Sequence, residues 1–371
     1  MRKVPLFKTY MGQEEVEAVK EVLLSGWVTL GPKTVEFENA YAKFIGSKYG
    51  IGTNSGTAAL HLGLAIFDFP EGSEVLMPTI NFISAPHAAY YNKLKPVFVD
   101  VDPKTLCIDV VDLEKKITPK SKAIIATHLG GIPVNMDAIM KIAEKYSLKV
   151  IEDVANAVGG SYDGKMLGSI GHVGCHSFEG KKNMTTGDGG MITLNDDELN
   201  DRLRRMRWLG INKDTWKRFS EKQGSYSWYY EVSDIGYKYN MNDIMAAIGL
   251  VQLGRLPGLL QIKNKLVEKY NKELSTLAWV ETPTIEPKGV VAPWLYIIKV
   301  PDRDGLMKYL EDNGVTTGVH FMPMHLHPLY KQEANTPVAD KIWHNIVSLP
   351  LYPGMTDEDQ DYVINLIKKY A

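Results

Sequence analysis

The sequence predicts an α/β protein that has a large, mostly parallel sheet flanked by helices and a smaller C-terminal α/β domain. Two observations indicate this class. Short apolar runs alternate with segments of helical period from about residue 50 to about residue 195. The chain has 371 residues, whereas a single hydrophobic core stops growing at roughly 250–300 residues. We therefore expect two packed domains, at 1–250 and 251–371.

The large domain is predicted from six apolar runs and the helical segments between them. One such segment, 135–147, places Ile139, Ile142 and Ala143 on one helix face. Strand, helix and strand at this spacing indicate parallel strands that are covered on both faces. The six predicted strands are 73–78, 95–101, 122–128, 148–153, 173–178 and 190–194.

The C-terminal part begins with helical patterns. Residues 240–254 predict a long helix, and a second helix is expected after Pro257. Its helically spaced apolar residues are Leu259, Ile262, Leu266 and Tyr270. A small α/β domain is then indicated by segments 294–300, 305–315 and 317–321, and it is closed by a helix at 357–371.

Composition excludes several classes of protein. A formal net charge of −2 gives no basic field for nucleic acid. Cys107 and Cys175 are far apart and lack metal-type spacing, so neither a disulfide framework nor a zinc site is indicated. The N-terminus lacks a signal-peptide pattern, and no run approaches the roughly 20 apolar residues of a membrane span. We expect a cytoplasmic protein with a small-molecule partner.

Polar residues follow several predicted strands. Asp153 ends one run and Ser177 ends another, and sheets of this kind bind ligands beyond the carboxyl ends of their strands. Gly56 and Thr57 stand at the start of a helix, where free backbone N–H groups favour a phosphate. Simpler explanations are an ordinary N-cap at the helix start with Gly56 and Thr57, and a turn-capping acid at Asp153.

The stretch HSFEGKKNMTTGDGG, residues 176–190, places Lys181 and Lys182 between a Ser-Phe pair and a glycine-rich turn. A solvated loop would explain each piece separately. A lysine nucleophile for a carbonyl group, with an acid and an anion site at the same sheet edge, matches the needs of pyridoxal phosphate. Phe82 is a candidate to stack on the cofactor ring, although a phenylalanine at such a place is more often part of the core.

Taken together, eight ordered segments resemble the DegT-type nucleotide-sugar aminotransferases, which are fold-type I pyridoxal-phosphate enzymes. The resemblance spans essentially the whole chain and implies that Lys182 binds the cofactor covalently. Lys181 is then a solvated neighbour or a charge that lowers the pKa of Lys182. The segments are SGWVTLGPKTVEFE, TNSGTAAL, PTINFISAPHA, VIEDVANAVGG, SFEGKKNMTTGDGG, GYKYNMNDIMAAIG, TGVHFMPMHLHPLY and SLPLYPGMTDED.

The resemblance implies further roles position by position. Asp153 corresponds to the acid that hydrogen-bonds the pyridine nitrogen and is, with Lys182, a catalytic residue. Thr29 and His320 are candidate sugar contacts. For His320 mere packing is an equal alternative, a metal site is disfavoured, and no metal is expected. The implied cofactor-binding residues are Gly56, Thr57, Phe82, Asp153, Asn156, Ser177, Lys182, Lys238 and Asn240.

Two places depart from the family pattern. Many relatives carry Asn-Tyr-Arg where this chain has Lys238-Tyr239-Asn240, and a histidine often precedes the Leu-Tyr pair that here follows Trp294. In the family the segment with Lys238 and Asn240 crosses from the neighbouring subunit to the phosphate. The resemblance therefore implies a homodimer with shared active sites.

The implied reaction is transfer of an amino group from an amino acid, by analogy L-glutamate, to a nucleotide-linked keto sugar in amino-sugar, lipopolysaccharide or glycan biosynthesis. The segments GYKYNMND and TGVHF resemble most those of sugar 4-aminotransferases, and this resemblance favours a ketone at C4. A 3-keto sugar, or an acceptor without a nucleotide, stays open. Two other functions are a sugar dehydratase, whose relatives carry histidine in place of the lysine, and a non-catalytic pyridoxal-phosphate-binding regulator.

Overall fold

A computed structural model describes residues 2–212, 230–331 and 334–370. Strands and helices alternate through its first two hundred residues, as the apolar periodicity predicts. The strands are β1 (Tyr49–Thr53), β2 (Glu74–Pro78), β3 (Lys95–Val99), β4 (Ser121–Thr127), β5 (Lys149–Asp153), β6 (Ser161–Tyr162), β7 (Lys165–Met166), β8 (Val173–Ser177), β9 (Gly190–Leu194), β10 (Gly289–Val290), β11 (Tyr296–Lys299) and β12 (Ile346–Leu349).

The helices cover the sheet and build the C-terminal part. Short 3₁₀ turns lie at Leu129–Gly131, Met324–Leu326 and Pro328–Tyr330. The helices are α1 (Gln13–Ser25), α2 (Pro32–Ile45), α3 (Gly56–Ala65), α4 (Ser84–Tyr91), α5 (Val110–Lys115), α6 (Met136–Tyr146), α7 (Asp197–Met206), α8 (Asp243–Leu274), α9 (Arg303–Asp312), α10 (Pro337–Ile342) and α11 (Asp357–Tyr370).

The main sheet has seven strands in the order β1-β9-β8-β5-β4-β2-β3. Strands β3, β2, β4, β5 and β8 are parallel to their neighbours in this series, and β9 runs antiparallel to both β8 and β1. The predicted α/β class and all six predicted strands are confirmed. The carboxyl ends of the parallel strands therefore share one edge, where Asp153 ends β5 and Ser177 ends β8.

Both faces of this sheet are buried, because successive side chains of each strand enter different cores. In β5, Val150 belongs to the cluster beneath α2, α6 and α8, whereas Ile151 belongs to the cluster beneath α3 and α4. The predicted face of α6 is confirmed: Ile139, Ile142 and Ala143 are all buried against the first cluster. The sheet edge is thus held rigidly between two apolar layers.

Helix α8 differs from the prediction. It is continuous through Pro257, so no second helix begins there. Proline removes one backbone donor, and the burial of Leu256 and Leu259 on either side offsets that loss. The buried face is also shifted, because Ile262 is 41% exposed whereas Lys263 is 3% exposed. The predicted division at residue 250 falls inside this helix and stays a proposal.

Length and composition alone would allow α8 to cross a membrane, with a mean hydropathy of 1.3 over its most apolar window. The helix packs against α1, α2 and α11. Core helices of soluble proteins meet the same criterion, so one such helix is weak evidence for a membrane span. The pattern here is that of a long core helix.

The C-terminal part has its own core. Strands β11 and β12 pair antiparallel; α9 packs against β12, and α11 packs against α9. Tyr270 and Leu274, at the end of α8, belong to this core together with Ile298 and Ile364. Segment 317–321 is not a strand, since it contributes only an isolated antiparallel bridge between Gly318 and Ser348.

Candidate active site

The loop after β8 carries the two lysines, and its glycine-rich end folds back on Phe178. The Phe178 N–H donates to the Gly189 carbonyl at 2.9 Å, and the Thr186 N–H donates to the Phe178 carbonyl at 2.9 Å. Gly189 has φ +151°, which glycine adopts more readily than other residues. The turn residues of the motif are therefore needed to close this loop, and Lys182 lies within it.

The Lys182 amine lies where β5 and β8 end. Lys182 Nζ donates to Asn156 Oδ1 at 2.9 Å, and it lies 3.6 Å from the centre of the Trp294 ring. Burial lowers the pKa of Lys182 to about 8, against an opposing contribution from the charge of Asp153. Near neutral pH a useful fraction of this group is therefore the free amine that a nucleophile requires.

Lys181 combines the two interpretations that the sequence left open. Its side chain is exposed, and its positive charge is a minor cause of the lowered pKa of Lys182, after burial. Its backbone is held more firmly than its side chain. The Lys181 N–H donates to Glu179 Oε2 at 3.0 Å, and its carbonyl accepts from Trp294 Nε1 at 2.9 Å.

Asp153 is a buried carboxylate whose described partners are uncharged. Its Oδ1 accepts from the Ala155 N–H at 3.1 Å, and its Oδ2 accepts from Asn81 Nδ2 at 3.3 Å and from Thr127 Oγ1 at 3.4 Å. Burial raises the pKa of Asp153 despite these hydrogen bonds and the nearby charge of Lys182. The carboxylate would therefore be stabilised by a ligand that presents a positively charged N–H.

The start of α3 lies against Ser177. Ser55 caps this helix and accepts from the Ala58 N–H at 3.1 Å, so the simple N-cap interpretation is correct for that residue. The first N–H groups of a helix have no partner within it. A Cβ added at Gly56 would lie 2.7 Å from the Ser177 Cβ. The helix start and the Ser177 hydroxyl therefore meet as closely as glycine allows, and Thr57 Oγ1 hydrogen-bonds Ser84 Oγ at 2.7 Å beside them.

Aromatic side chains surround the approach to the lysine. Phe82 is 54% exposed, which is unusual for a core phenylalanine, and its ring lies 5.9 Å from the ring of Phe321. His320 packs edge-on against Trp294, with ring centres 5.5 Å apart. Its Nδ1 hydrogen-bonds Ser348 Oγ at 2.9 Å. Burial, aided by the charge of Lys182, lowers the pKa of His320 to about 4, so the ring is neutral at physiological pH.

Three predicted residues are not joined to this cluster within one chain. The Lys238 ammonium lies 3.0 Å from the centre of the Trp208 ring, and Asn240 Nδ2 donates to the Met241 carbonyl at 3.0 Å. Thr29 is exposed, and its carbonyl accepts from the Asp243 N–H at 3.0 Å. Their predicted roles stay predictions.

Several residues of the cluster were not predicted as site residues. Asn81 lies three residues after the predicted strand 73–78, so a polar residue close to a strand end could have indicated it. Trp294 was noted only as a departure from the family pattern. Lys263 on α8 donates to Asn183 Oδ1 at 2.9 Å, and a lysine at the i+4 position from Leu259 was a signal for an unusual buried cation.

The donor set fits pyridoxal phosphate. A buried carboxylate without a described cationic partner suits a protonated pyridine nitrogen, and the α3 start with Ser177 suits a phosphate. The exposed Phe82 ring suits stacking on an aromatic ring. The Lys182 amine suits a bond to the aldehyde carbon.

Comparison with known proteins identifies the family. The model of the DegT/DnrJ/EryC1/StrS aminotransferase family matches residues 9–368. The spore coat polysaccharide biosynthesis protein SpsC of Bacillus subtilis is 38% identical over 98% of this chain and 96% of its own. The solved structure of the sugar aminotransferase CalS13 from Micromonospora echinospora is 34% identical, covers 99% of each chain and has a TM-score of 0.91. The PLP-form structure of Spr1654 from Streptococcus pneumoniae is 29% identical, covers 99% of this chain and 98% of that one, and has a TM-score of 0.92.

These matches confirm the fold-type I architecture and the cofactor that the sequence predicted. They extend over nearly the whole chain, and both solved structures share its fold. The chain is therefore a pyridoxal-phosphate-dependent transaminase that belongs to the DegT/DnrJ/EryC1/StrS aminotransferase family.

Proposed function

We propose that this enzyme moves an amino group from an amino acid to a keto sugar, with Lys182 as the residue that binds the cofactor and carries the proton. The observation that carries this proposal is the position of the Lys182 amine. It is hydrogen-bonded to the buried Asn156, and it lies at the sheet edge where β5 ends at Asp153 and β8 ends at Ser177. When bound, pyridoxal phosphate supplies an electron sink that stabilises the carbanion left after an amino acid loses its Cα proton.

Lys182 has the chemical range for this role. As a free amine its Nζ accepts a proton, and as an ammonium it donates one. A pKa of about 8 keeps both forms within reach near neutral pH. Asn156 Oδ1 orients the nitrogen at 2.9 Å, and the Trp294 ring covers it from the other side and limits its contact with water.

The remaining cluster would hold the cofactor. Asp153 would accept from the pyridine N–H, and the positive charge would offset the burial of that carboxylate. Ser177 and the N–H groups of Gly56 and Thr57 would bind the phosphate. Phe82 would stack on the ring. Asn156, freed from the Lys182 ammonium once Lys182 is bound to the cofactor, would reach the ring hydroxyl.

For the acceptor we propose a nucleotide-linked 4-keto sugar, and for the donor L-glutamate. SpsC is named for spore coat polysaccharide biosynthesis, and CalS13 is called a sugar aminotransferase. His320 supports a polar substrate, because its neutral ring is fixed on Ser348 and its other nitrogen can hydrogen-bond a hydroxyl. A 3-keto sugar has the same chemistry at the cofactor and is the other acceptor to test. Amino-sugar production for glycans or lipopolysaccharide follows as the biological role.

We further propose a homodimer in which each subunit completes the other's site. Within one chain the described contacts of Lys238, Asn240 and Thr29 do not reach the Lys182 cluster, so their predicted roles at the site would require a partner subunit. A cytoplasmic location fits the two buried cysteines, Cys107 and Cys175, which are free thiols.

The reaction is tested by two half-reactions. Protein loaded with pyridoxal phosphate is mixed with L-glutamate and other amino acids, and loss of the visible cofactor band is recorded. The amino form is then mixed with 4-keto and 3-keto nucleotide sugars and with free keto sugars, and the product is identified by NMR. Lys182→Ala is expected to abolish both half-reactions, whereas the matched Lys181→Ala is expected to retain them. Equal activity with non-sugar ketones would contradict the sugar assignment.

The shared site is tested by mixing two inactive variants. Lys182→Ala and the double variant Lys238→Ala with Asn240→Ala are unfolded together, refolded and assayed. Mixed dimers contain one intact site, so about one quarter of the native specific activity is expected. Activity no higher than that of the separate variants would contradict the proposal.

A further inference from the structure

Lys263 is a buried lysine that the proposed reaction does not use. It lies on α8 and is 3% exposed. Its described hydrogen-bond partner is the uncharged amide of Asn183, whose Oδ1 accepts at 2.9 Å. Placing an ammonium in a protein interior without a carboxylate is costly. Stability of the fold therefore does not explain a lysine at this position.

The Asn183 amide connects Lys263 to the neighbourhood of Lys182. Asn183 is itself buried and is the next residue after Lys182. Its Nδ2 donates to the Val158 carbonyl at 3.3 Å and to the Ala292 carbonyl at 3.1 Å. Each of these carbonyls lies two residues along the chain from a residue that contacts the Lys182 amine.

Those two contacts are the ones that define the position of the amine. Val158 follows Asn156, which accepts from Lys182 Nζ, and Ala292 precedes Trp294, whose ring covers it. The segments after β5, after β8 and before β11 are thus joined at one amide, and Lys263 supplies the donor to its oxygen.

We propose that Lys263 is a positioning residue for Lys182: through Asn183 it holds the Lys182 loop against the two segments that orient and cover the Lys182 amine. The inference rests on the proposed role of Lys182 and adds a residue to that site. It is independent of which sugar is the acceptor.

The pKa values of the two lysines are compatible with the same arrangement. Lys182 and Lys263 line one cleft, and burial together with the charge of Lys182 lowers the pKa of Lys263 to about 7. Both the ammonium and the amine of Lys263 retain an N–H for Asn183. Because its pKa is the lower of the two, Lys263 is mostly the neutral amine at the pH where Lys182 titrates, so it acts on Lys182 through its hydrogen bond to Asn183. The other titratable groups that face the two lysines are Asp153, Glu179, Lys181, His320, Lys8, Tyr10 and Tyr352.

The test follows the Lys182 amine in cofactor-free protein. Trinitrobenzenesulfonate, which reacts with free amines, is added between pH 6 and pH 10, and labelling of Lys182 is measured by peptide mass spectrometry. Native protein is expected to show a midpoint at about pH 8. In Lys263→Met the loop loses its anchor, so the Lys182 amine becomes less buried and the midpoint rises. A rise of at least one unit is expected, so labelling at pH 7 falls about tenfold.

Two further variants make the result specific. Lys263→Arg keeps an N–H donor for Asn183 Oδ1 and is expected to prevent this rise. Lys265→Met changes an exposed lysine two residues along the same helix and is expected to leave the midpoint unchanged. An unchanged midpoint in Lys263→Met, or an equal rise in Lys265→Met, would overturn the proposal, because a general loss of stability does not move this titration selectively.

If Lys263→Met does not fold, Asn183→Leu removes the other partner of the same hydrogen bond and is expected to raise the midpoint likewise; an unchanged midpoint there overturns the proposal. The labelling requires neither cofactor nor substrate. If pyridoxal phosphate proved not to bind at Lys182, the proposed function would fail while this measurement of Lys263 would still stand.

Discussion

Replacement of Asn156 by leucine tests how the protein sets the reactivity of Lys182. Asn156 is 3% exposed, and its Oδ1 accepts from the Lys182 amine at 2.9 Å. A hydrogen bond from a charged donor is worth about 1.5–3 kcal/mol, against about 0.5–1.5 kcal/mol for a neutral one. The Asn156 oxygen therefore favours the ammonium over the free amine by roughly 1.4 kcal/mol, or about one pKa unit.

The expected result follows from the pKa of Lys182, which is about 8. Asn156→Leu removes the acceptor and leaves burial in place, so the pKa of Lys182 falls to about 7. At pH 7 the free-amine fraction then rises from about one tenth to about one half, and labelling of Lys182 by trinitrobenzenesulfonate becomes about fivefold faster. The variant is also expected to bind pyridoxal phosphate more weakly, because Asn156 is a proposed hydrogen-bond partner of the ring hydroxyl.

The assay is the pH profile of Lys182 labelling in cofactor-free protein, read by peptide mass spectrometry. Asn264→Leu, an exposed position on α8, is the matched control and should leave the midpoint near pH 8. A midpoint that stays in place or rises in Asn156→Leu would refute the reasoning, since the amine would then not depend on that oxygen.

Three more outcomes are expected. Asp153→Asn should slow the donor half-reaction by at least about 100-fold but should not lower the melting temperature of cofactor-free protein. The pKa of Asp153 is raised in the folded state, so its charged form destabilises the fold above that pKa. Thermal melts at pH 7.5 check this, and a clear drop in melting temperature would contradict it. Gly56→Ala should weaken pyridoxal-phosphate binding by about tenfold or more, because the added Cβ would lie 2.7 Å from the Ser177 Cβ. Equilibrium dialysis measures the binding, and Gly254→Ala, which has open space around it, should leave it unchanged. Glu38→Gln should destabilise the protein by about 3–5 kcal/mol at neutral pH in urea unfolding. Burial alone would raise the pKa of Glu38, but two arginines hold it below its ordinary value of 4.5. The stability that Glu38 contributes is therefore present above pH 4.5 and is lost as the pH falls through the lowered pKa. An unchanged urea midpoint in Glu38→Gln would contradict this prediction.

Much of the fold was predictable because both faces of the main sheet are covered. Buried strands such as β2 and β4 contain continuous apolar runs bounded by polar residues, and this pattern needs no tertiary information. Helix α8 was harder. Its apolar residues are compatible with two neighbouring faces, and the structure buries Lys263 in preference to Ile262. Pro257 ended the predicted helix, although packing on both sides keeps the real one continuous.

The site was predictable where its chemistry lies in short motifs. Lys182 and Ser177 share one loop motif, and Asp153 ends a strand, so their residue types and spacing were visible. Trp294, Asn81 and Lys263 reach the cluster from distant parts of the chain, and only tertiary packing brings them together. The pKa of Lys182 was equally out of reach, because its first cause is burial.

The central claim is that Lys182 is the residue that binds the cofactor, and one measurement addresses it most directly. Protein loaded with pyridoxal phosphate is reduced with borohydride, digested, and searched by mass spectrometry for the lysine that carries the cofactor. Among the residues that the structure describes, Lys8, Lys181 and Lys263 line the same cleft as Lys182 and could compete with it. The account predicts the cofactor on Lys182 and unmodified peptides for the other three. Attachment to Lys8, Lys181 or Lys263, with Lys182 unmodified, would contradict it.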